Sequence, residues 1–333
     1  MHMNNKLLKI KKRIALIPSY TLVEDSVFEK KIKKAKKILN SCTLCPNECK
    51  VNRLRGEIGL CGQGKYAKIS HFLPHFGEEP PLSGINGAGT VFFSGCTLSC
   101  IYCQNYQISS PEGIGKILPP NELAAIFVRL SELNCHNIDL VSPTPHISAI
   151  LESLYIVKKQ GIKLPIIYNT NGYLSETTLS LLEDIVDIYL PDIKYSDDTN
   201  AFKYSKIKNY VKHSKNAVAE MLRQRKELLV DENGIAYKGC VIRILLLPSE
   251  LDGMEKTLEF LAEHKGINIS IMTQYSPLNQ AHKFPEISKK ISRDYIDKIF
   301  KLADSYNFDN IFTQGIESQN IFIPDFERDS PFD

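Results

Sequence analysis

One stretch of sequence decides the fold and the chemistry of this chain: Gly95-Cys96-Thr97-Leu98-Ser99-Cys100-Ile101-Tyr102-Cys103-Gln104-Asn105. Its three cysteines follow one another at C-x3-C-x2-C spacing. Three thiolates can hold three irons of a [4Fe–4S] cluster, which ordinarily takes four cysteine ligands, so one iron would stay open. An open metal position is typical of a reactive site. A zinc site that lacks its fourth ligand, or a chance grouping, is the alternative.

The segments around this loop predict alternating strands and helices. The apolar run Thr90-Val91-Phe92-Phe93 precedes the loop and is typical of a buried strand. From residue 90 onward such runs alternate with amphipathic segments, and residues 241–247 form a near-continuous apolar run, as expected of a strand covered on both faces. The pattern predicts an α/β fold with a parallel sheet and right-handed crossovers, as in a partial or nearly complete (β/α) barrel.

Polar residues follow the predicted strands, where such barrels gather their chemistry. Their recurrence at one strand end after another indicates a site at this edge of the sheet. The residues are Ser142, Thr144 and His146; Asn169, Thr170, Asn171 and Gly172; Asp192 and Lys194; Arg243; and Gln274, Tyr275 and Ser276.

Residues 1–40 are rich in lysine and predict an N-terminal helical segment. Phe28, Ile32, Ala35 and Leu39 recur at helical spacing, with lysines largely on the other faces. We interpret the segment as a solvated amphipathic helix, and a partner-docking surface is the alternative.

Residues 41–88 predict a cysteine-rich metal-binding segment followed by a linker. Cys42, Cys45, Cys49 and Cys61 have C-x2-C-x3-C-x11-C spacing, which suits either tetrahedral zinc or a complete [4Fe–4S] cluster. The sequence does not discriminate between the two metals, and reduced buried cysteines without metal are a further alternative. The segment is turn-rich, so a metal would be its main source of stability.

The linker, residues 71–88, is rich in Pro and Gly. It carries His71, His75, Glu78 and Glu79. We predict that these are loop side chains that face water, although paired carboxylates and histidines could also line a site.

Composition excludes several classes of protein. The chain has 333 residues and a formal charge of +3, which implies no large electrostatic field for nucleic acid. No apolar run approaches the roughly 20 residues needed to span a bilayer, and the N-terminus lacks the apolar core of a secretory signal. Nine cysteines without such a signal indicate a reducing cytoplasm. Cys135 and Cys240 lie beside apolar strands, and we predict that they are structural.

On its three-cysteine loop the chain is identified as a member of the radical SAM superfamily. Within it, the chain resembles the pyruvate formate-lyase activating enzymes and their relatives over about residues 90–276. The motifs that carry this resemblance are Thr90-Val-Phe-Phe-Ser-Gly95-Cys96, Tyr102-Cys103-Gln104-Asn105, Thr170-Asn171-Gly172, Asp192-Ile193-Lys194 and Arg243-Ile-Leu-Leu-Leu-Pro248. The resemblance implies a partial (β/α)6-type barrel over residues 89–333 with an N-terminal cysteine-rich extension.

The resemblance also implies roles for individual residues. Cys96, Cys100 and Cys103 would bind a [4Fe–4S] cluster whose open iron is chelated by S-adenosylmethionine (SAM). Tyr102 and Asn105 would lie near the nucleoside of SAM. The residues that would face its ribose and methionyl end are Asn171, Asp192, Lys194 and Arg243.

One stretch departs from the family pattern. Many members carry a glycine-rich segment ending in Glu, which binds the SAM amino group, after the second strand. Here the position reads Ser142-Pro143-Thr144-Pro145-His146, so Thr144 or backbone carbonyls would accept that group instead.

The implied activity is that of an oxidoreductase: reductive cleavage of SAM to methionine and a 5′-deoxyadenosyl radical that abstracts hydrogen from a substrate. In the activating branch the substrate is a glycine of a partner protein. A low-potential donor, ferredoxin or flavodoxin, would supply the electron. The alternatives are radical modification of a peptide or small molecule, or a non-catalytic iron–sulfur or zinc protein.

Overall fold

A computed structural model describes residues 2–5, 9–10, 17–306, 308–321 and 323–332. The strands are β1 (His2–Asn5), β2 (Lys9–Ile10), β3 (Ala67–His75), β4 (Ala88–Phe93), β5 (Lys116–Leu118), β6 (Ile138–Val141), β7 (Ile166–Thr170), β8 (Ile188–Ile193), β9 (Leu229–Val230), β10 (Ala236–Leu245), β11 (Asn268–Met272) and β12 (Asn310–Thr313).

The helices lie between these strands. They are α1 (Ser19–Leu22), α2 (Asp25–Ile38), α3 (Pro80–Ser83), α4 (Tyr106–Ser109), α5 (Pro120–Glu132), α6 (Ile147–Lys159), α7 (Glu176–Leu182), α8 (Asp198–Ser205), α9 (Tyr210–Gln224), α10 (Met254–Ala262) and α11 (Arg293–Ser305). Among the described residues, none of these helices has the length and apolarity needed to cross a membrane.

The sheet confirms the predicted α/β architecture. Its main order is β1-β12-β11-β10-β8-β7-β6-β4-β3-β5, and neighbouring strands are parallel from β4 through to β12. A helix separates nearly every pair of consecutive parallel strands, so the chain returns each time to the same end of the sheet. The carboxyl ends of these strands therefore meet at one edge, which is the arrangement of a radical SAM partial barrel.

Helix α2 confirms the predicted apolar face in the N-terminal segment. Phe28 and Ala35 are fully buried, and the Phe28 ring lies 5.3 Å from that of Tyr155 on α6. Asp25 begins the helix, and its carboxylate lies 2.7 Å from Lys158 Nζ. The first residues of the predicted segment, 1, 6–8 and 11–16, lie outside the described part of the chain.

The linker prediction for residues 71–88 is wrong in two respects. Residues 67–75 form β3, which pairs antiparallel with β4 and joins the sheet before the predicted barrel boundary at residue 89. The carboxylates of Glu78 and Glu79 turn inward and do not face water, and only 1% of the Glu79 surface is exposed. The physical reason is a buried cation, Arg243 on β10, which the two carboxylates approach from the turn that follows β3.

The C-terminal segment, residues 323–332, packs against β4, which lies between β6 and β3 in the sheet. The Phe326 ring lies 5.2 Å from that of Phe92 on β4, and the Phe332 ring lies 4.4 Å from that of His75. Gln107 Nε2 donates to Asp325 Oδ1 at 3.0 Å, which anchors the segment beside the three-cysteine loop. The tail therefore forms part of the wall around the site described next.

Candidate functional site

A cavity opens at the carboxyl ends of the parallel strands, and the three-cysteine loop forms one side of it. Cys96, Cys100 and Cys103 all line the cavity. The predicted strand-end residues Asn169, Thr170, Asn171, Asp192, Lys194, Arg243, Gln274, Tyr275 and Ser276 line it too. The sheet topology thus brings together residues that are up to 180 positions apart in sequence.

The cysteine loop is held by backbone contacts on both sides. Ile101 N–H donates to the Tyr204 carbonyl at 2.9 Å, and the Ile101 carbonyl accepts from Gln280 N–H at 2.8 Å. Gly95 turns the chain out of β4 with φ of +79°, and a Cβ built there would lie 2.6 Å from the carbonyl oxygen of Cys61. A side chain at position 95 would therefore be excluded by both its backbone conformation and its neighbour.

Each cysteine sulfur of the loop has a hydrogen-bond donor from elsewhere in the fold. The donors are Asn171 Nδ2 to Cys96 Sγ at 3.3 Å, Ser205 Oγ to Cys100 Sγ at 2.9 Å and Ser109 Oγ to Cys103 Sγ at 3.2 Å. Donors to sulfur stabilise thiolates and tune an iron–sulfur cluster. Three sulfurs that share an open cavity and each accept a hydrogen bond fit a cluster with one iron left for a ligand. The two serines belong to no sequence motif and were missed by the sequence analysis.

Burial controls the protonation of two thiols of the loop. It raises the pKa of Cys100 to about 12 and raises the pKa of Cys103, while the Lys194 ammonium opposes the shift at both sulfurs. Without iron, these two thiols therefore hold their protons at neutral pH, and iron binding must displace them.

Asp192 and Lys194 form an ion pair inside the cavity. Lys194 Nζ lies 2.8 Å from Asp192 Oδ2, and both side chains are mostly buried. Burial alone would lower the pKa of Lys194, but the Asp192 carboxylate outweighs it and holds that pKa above its usual value. As predicted from their spacing, the two side chains point the same way, and they place a fixed cation beside the cysteine loop.

Tyr102 and Asn105 also line this cavity, as the resemblance implied. The Tyr102 hydroxyl donates to the Tyr195 hydroxyl at 2.7 Å, and the Tyr102 ring lies 5.9 Å from that of Tyr275. Its aromatic face is thus held in one orientation at the cavity wall.

Arg243 lies deep in the cavity and is paired with two carboxylates. Its Nε donates to Glu79 Oε1 at 2.9 Å, and its Nη2 contacts both Glu78 and Glu79. Burial opposes ionisation of Glu78, but the guanidinium holds the pKa of that carboxyl below its usual value. Asp139 on β6 has the opposite behaviour, because burial and the Glu78 charge raise its pKa well above the usual range. Two carboxylates therefore surround the Arg243 guanidinium, and the Asp139 carboxyl next to Glu78 holds its proton.

The structure does not bring Thr144 to this cavity. Its hydroxyl lies 3.0 Å from the Tyr168 hydroxyl, and its side chain is 2% exposed. The turn after β6 directs His146 inward as well, where its Nε2–H donates to the Ser94 carbonyl at 2.8 Å and burial lowers its pKa to about 3. Both side chains contact buried partners and neither lines the cavity, so neither is placed to accept the SAM amino group.

Thr144 faces a second, smaller pocket, which contains the four N-terminal cysteines. Cys42, Cys45, Cys49 and Cys61 line this pocket together with Arg53. Burial raises the pKa of Cys45 to about 12. Arg53 was not among the predicted site residues, because it is one of three basic residues between the third and fourth cysteines and no motif sets it apart.

Comparisons with known proteins identify the family. Residues 90–261 match the Radical SAM superfamily. The chain is 31% identical over 301 residues to the Uncharacterized protein MJ0674 of Methanocaldococcus jannaschii, covering 87% of this chain and 82% of that protein.

Two solved structures are similar in fold. Streptococcus suis SuiB bound to its precursor peptide SuiA has a TM-score of 0.45 and 13% identity, over 68% of this chain and 47% of SuiB. A radical SAM methyltransferase from Sphaerobacter thermophilus has a TM-score of 0.44 and 14% identity, over 68% of this chain and 67% of that one. The chain spans about half the length of SuiB.

The family match covers the three-cysteine loop and the cavity-lining strand ends from β6 to β10. This chain uses a [4Fe–4S] cluster and S-adenosylmethionine for radical chemistry, and it belongs to the radical SAM superfamily.

Proposed function

We propose that this enzyme abstracts a hydrogen atom from a glycine of a partner protein. The observation that carries the proposal is the single cavity that joins the cysteine loop to the Asp192–Lys194 pair and to Asn171. When bound there, the cluster and SAM supply one electron and a 5′-deoxyadenosyl radical.

The residues of the chain would bind and orient SAM. The Lys194 ammonium, fixed by Asp192, is available to the carboxylate of the methionyl group. Tyr102 and Asn105 line the same cavity, where the Tyr102 ring would contact the adenine and Asn105 would contact the nucleoside. Holding the reacting carbon in one place is the main contribution that a protein makes to such chemistry.

The glycine substrate is supported by the motifs that resemble those of the activating enzymes. All five of these motifs contribute residues to the same cavity, including Cys96, Tyr102, Asn171, Asp192 and Arg243. Their side chains would therefore act together on one ligand, which supports a reaction like that of the activating enzymes.

The electron must come from outside the chain. We propose ferredoxin or flavodoxin as the donor in a reducing cytoplasm. None of the nine cysteines, all of which lie in the described part of the chain, forms a disulfide, in keeping with such a compartment.

A peptide or small molecule with a cationic group is the second candidate substrate. Glu78 and Glu79 share one guanidinium at the inner end of the cavity, which leaves one carboxylate in excess among the described groups there. An ammonium or guanidinium group of a substrate would balance that charge.

Deuterium transfer tests the two candidates. Reconstituted protein is incubated anaerobically with SAM, dithionite and a candidate partner protein deuterated at glycine Cα. We expect deuterium in 5′-deoxyadenosine and an organic radical in the electron paramagnetic resonance spectrum. Transfer from deuterated amine-bearing peptides, with none from any glycine, would replace the first candidate by the second.

A further inference from the structure

The four-cysteine pocket has surroundings that separate its two candidate metals. Cys42, Cys45, Cys49 and Cys61 line it together. Tetrahedral zinc and a [4Fe–4S] cluster both take four thiolates, so the ligands alone suit either metal. Zinc has no redox chemistry, so a position on a path for electrons favours the cluster.

Arg53 indicates that the pocket holds an anionic group. The side chain is 2% exposed, its Nε donates to the Gly64 carbonyl at 2.8 Å and its Nη2 to the Pro145 carbonyl at 2.7 Å. Its Nη1 lies 3.9 Å from Cys42 Sγ. No described carboxylate forms an ion pair with Arg53, and a buried cation without a counter-charge costs folding free energy. Four thiolates around zinc or around an iron–sulfur core would carry the negative charge that balances this guanidinium, so Arg53 indicates an occupied site.

The pocket adjoins the three-cysteine site through one short piece of backbone. Asn47 Nδ2 donates to the Thr97 carbonyl at 2.8 Å, and Thr97 lines the four-cysteine pocket. Its neighbour Cys96 lines the central cavity. Asn171 Nδ2 bonds to both residues, at 2.9 Å to Thr97 Oγ1 and 3.3 Å to Cys96 Sγ.

The same pocket also reaches the protein surface. Leu60 is one of its lining residues, and 65% of its surface is exposed. The four-cysteine site therefore lies between solvent and the cysteine loop, where an external donor could deliver an electron.

We propose that Cys42, Cys45, Cys49 and Cys61 hold a second [4Fe–4S] cluster that relays electrons to the first. One electron passes from a reduced carrier protein to the second cluster and then to the first, so the carrier is oxidised and no bond or proton moves. Four cysteine ligands leave no iron open for substrate, so this cluster serves transfer alone. The assignment of the metal rests on the position of the pocket, and the direction of electron flow also rests on the proposed function.

Metal analysis tests the assignment without any need for activity. In the Cys96→Ala, Cys100→Ala, Cys103→Ala triple variant we expect about four irons and four sulfides per chain, a dithionite-reducible paramagnetic signal and no zinc. Zinc in place of iron, or neither metal, overturns the proposal. If this variant does not fold, Mössbauer spectroscopy of the wild type decides the question, since two clusters give about eight irons and one gives about four.

A comparison of reductants tests the relay. In Cys45→Ser we expect 5′-deoxyadenosine formation driven by reduced flavodoxin to fall at least about tenfold more than formation driven by dithionite, a small reductant that reaches the first cluster directly. Cys135→Ser, a buried cysteine outside both groups, is the matched control and should leave the ratio of the two rates unchanged. An equal fall with both reductants in Cys45→Ser contradicts the relay.

Discussion

Both cysteine groups offer sulfur atoms as ligands, but the fold supports the two groups in different ways. The three-cysteine loop lies where the parallel strands end, and other elements supply a donor to each of its sulfurs. The four-cysteine segment contains one short helical turn, and its contacts with the barrel include Arg53 Nη2 to the Pro145 carbonyl and the Thr178 hydroxyl to the Leu44 carbonyl. The sheet thus fixes the geometry of the reactive site, whereas we expect the segment to depend more on what its cysteines bind.

Arg53→Met should have the largest effect on the segment. It removes the donor to the Gly64 and Pro145 carbonyls and the counter-charge beside Cys42. We expect the free energy of unfolding to fall by about 3–5 kcal/mol. Metal analysis should show loss of the second site while about four irons per chain remain in the first. Arg55→Met, an exposed change on the same turn, is the control and should cost under about 0.5 kcal/mol. Similar losses in both variants would show that Arg53 has no special role.

Arg243→Met should destabilise the barrel, because it removes a buried positive charge and leaves buried negative charges in place. It leaves Glu78 and Glu79 buried without their cation, at a cost of about 3–5 kcal/mol in denaturant unfolding. Adding Glu78→Gln and Glu79→Gln to the same chain should restore most of that loss, because no buried charge then remains unpaired. A triple variant as unstable as the single one would refute the charge argument.

Asp192→Ala should have a smaller and local effect. Lys194 loses the carboxylate that fixes it, so we expect the Kd for SAM to rise roughly tenfold, or about 1.4 kcal/mol, with the cluster absorbance intact. Isothermal titration of the reconstituted protein measures this. Asp304→Ala, exposed on α11, is the control. Unchanged affinity in Asp192→Ala would make the pair an ordinary ion pair.

Cys135→Ala with Cys240→Ala should have the smallest effect on the metal sites. Both thiols are buried beside strands and line neither pocket. We expect unchanged iron content and a loss of about 1–2 kcal/mol in unfolding free energy from the lost packing. Any loss of iron would show that one of them is a ligand.

Local patterns in the sequence predict most of the fold and the lining of the cavity. The apolar run at residues 90–93 and the repeated strand-end polar residues place the site, because parallel strands always end at the same edge. The prediction for Glu78 and Glu79 is wrong because the partner that draws them inward, Arg243, is more than 160 residues away. Pairings of that range carry no local signal.

Thr144 and the serines that donate hydrogen bonds to the cysteine sulfurs show a second limit of prediction from sequence. Thr144 follows the second strand of the barrel, but the turn directs its hydroxyl to Tyr168. Ser109 and Ser205 reach the cysteines from helix ends that carry no recognisable motif. Position along the chain predicts which edge a residue occupies, whereas side-chain direction depends on the turn and its packing.

The central claim is that the three-cysteine site carries the chemistry, and one measurement tests it most directly. The release of 5′-deoxyadenosine from SAM and dithionite is compared between reconstituted wild type and Cys100→Ala, with circular dichroism to confirm that both are folded. We expect release from the wild type and none above background from the variant. No release from a fully reconstituted wild type, or equal release from both proteins, would contradict it.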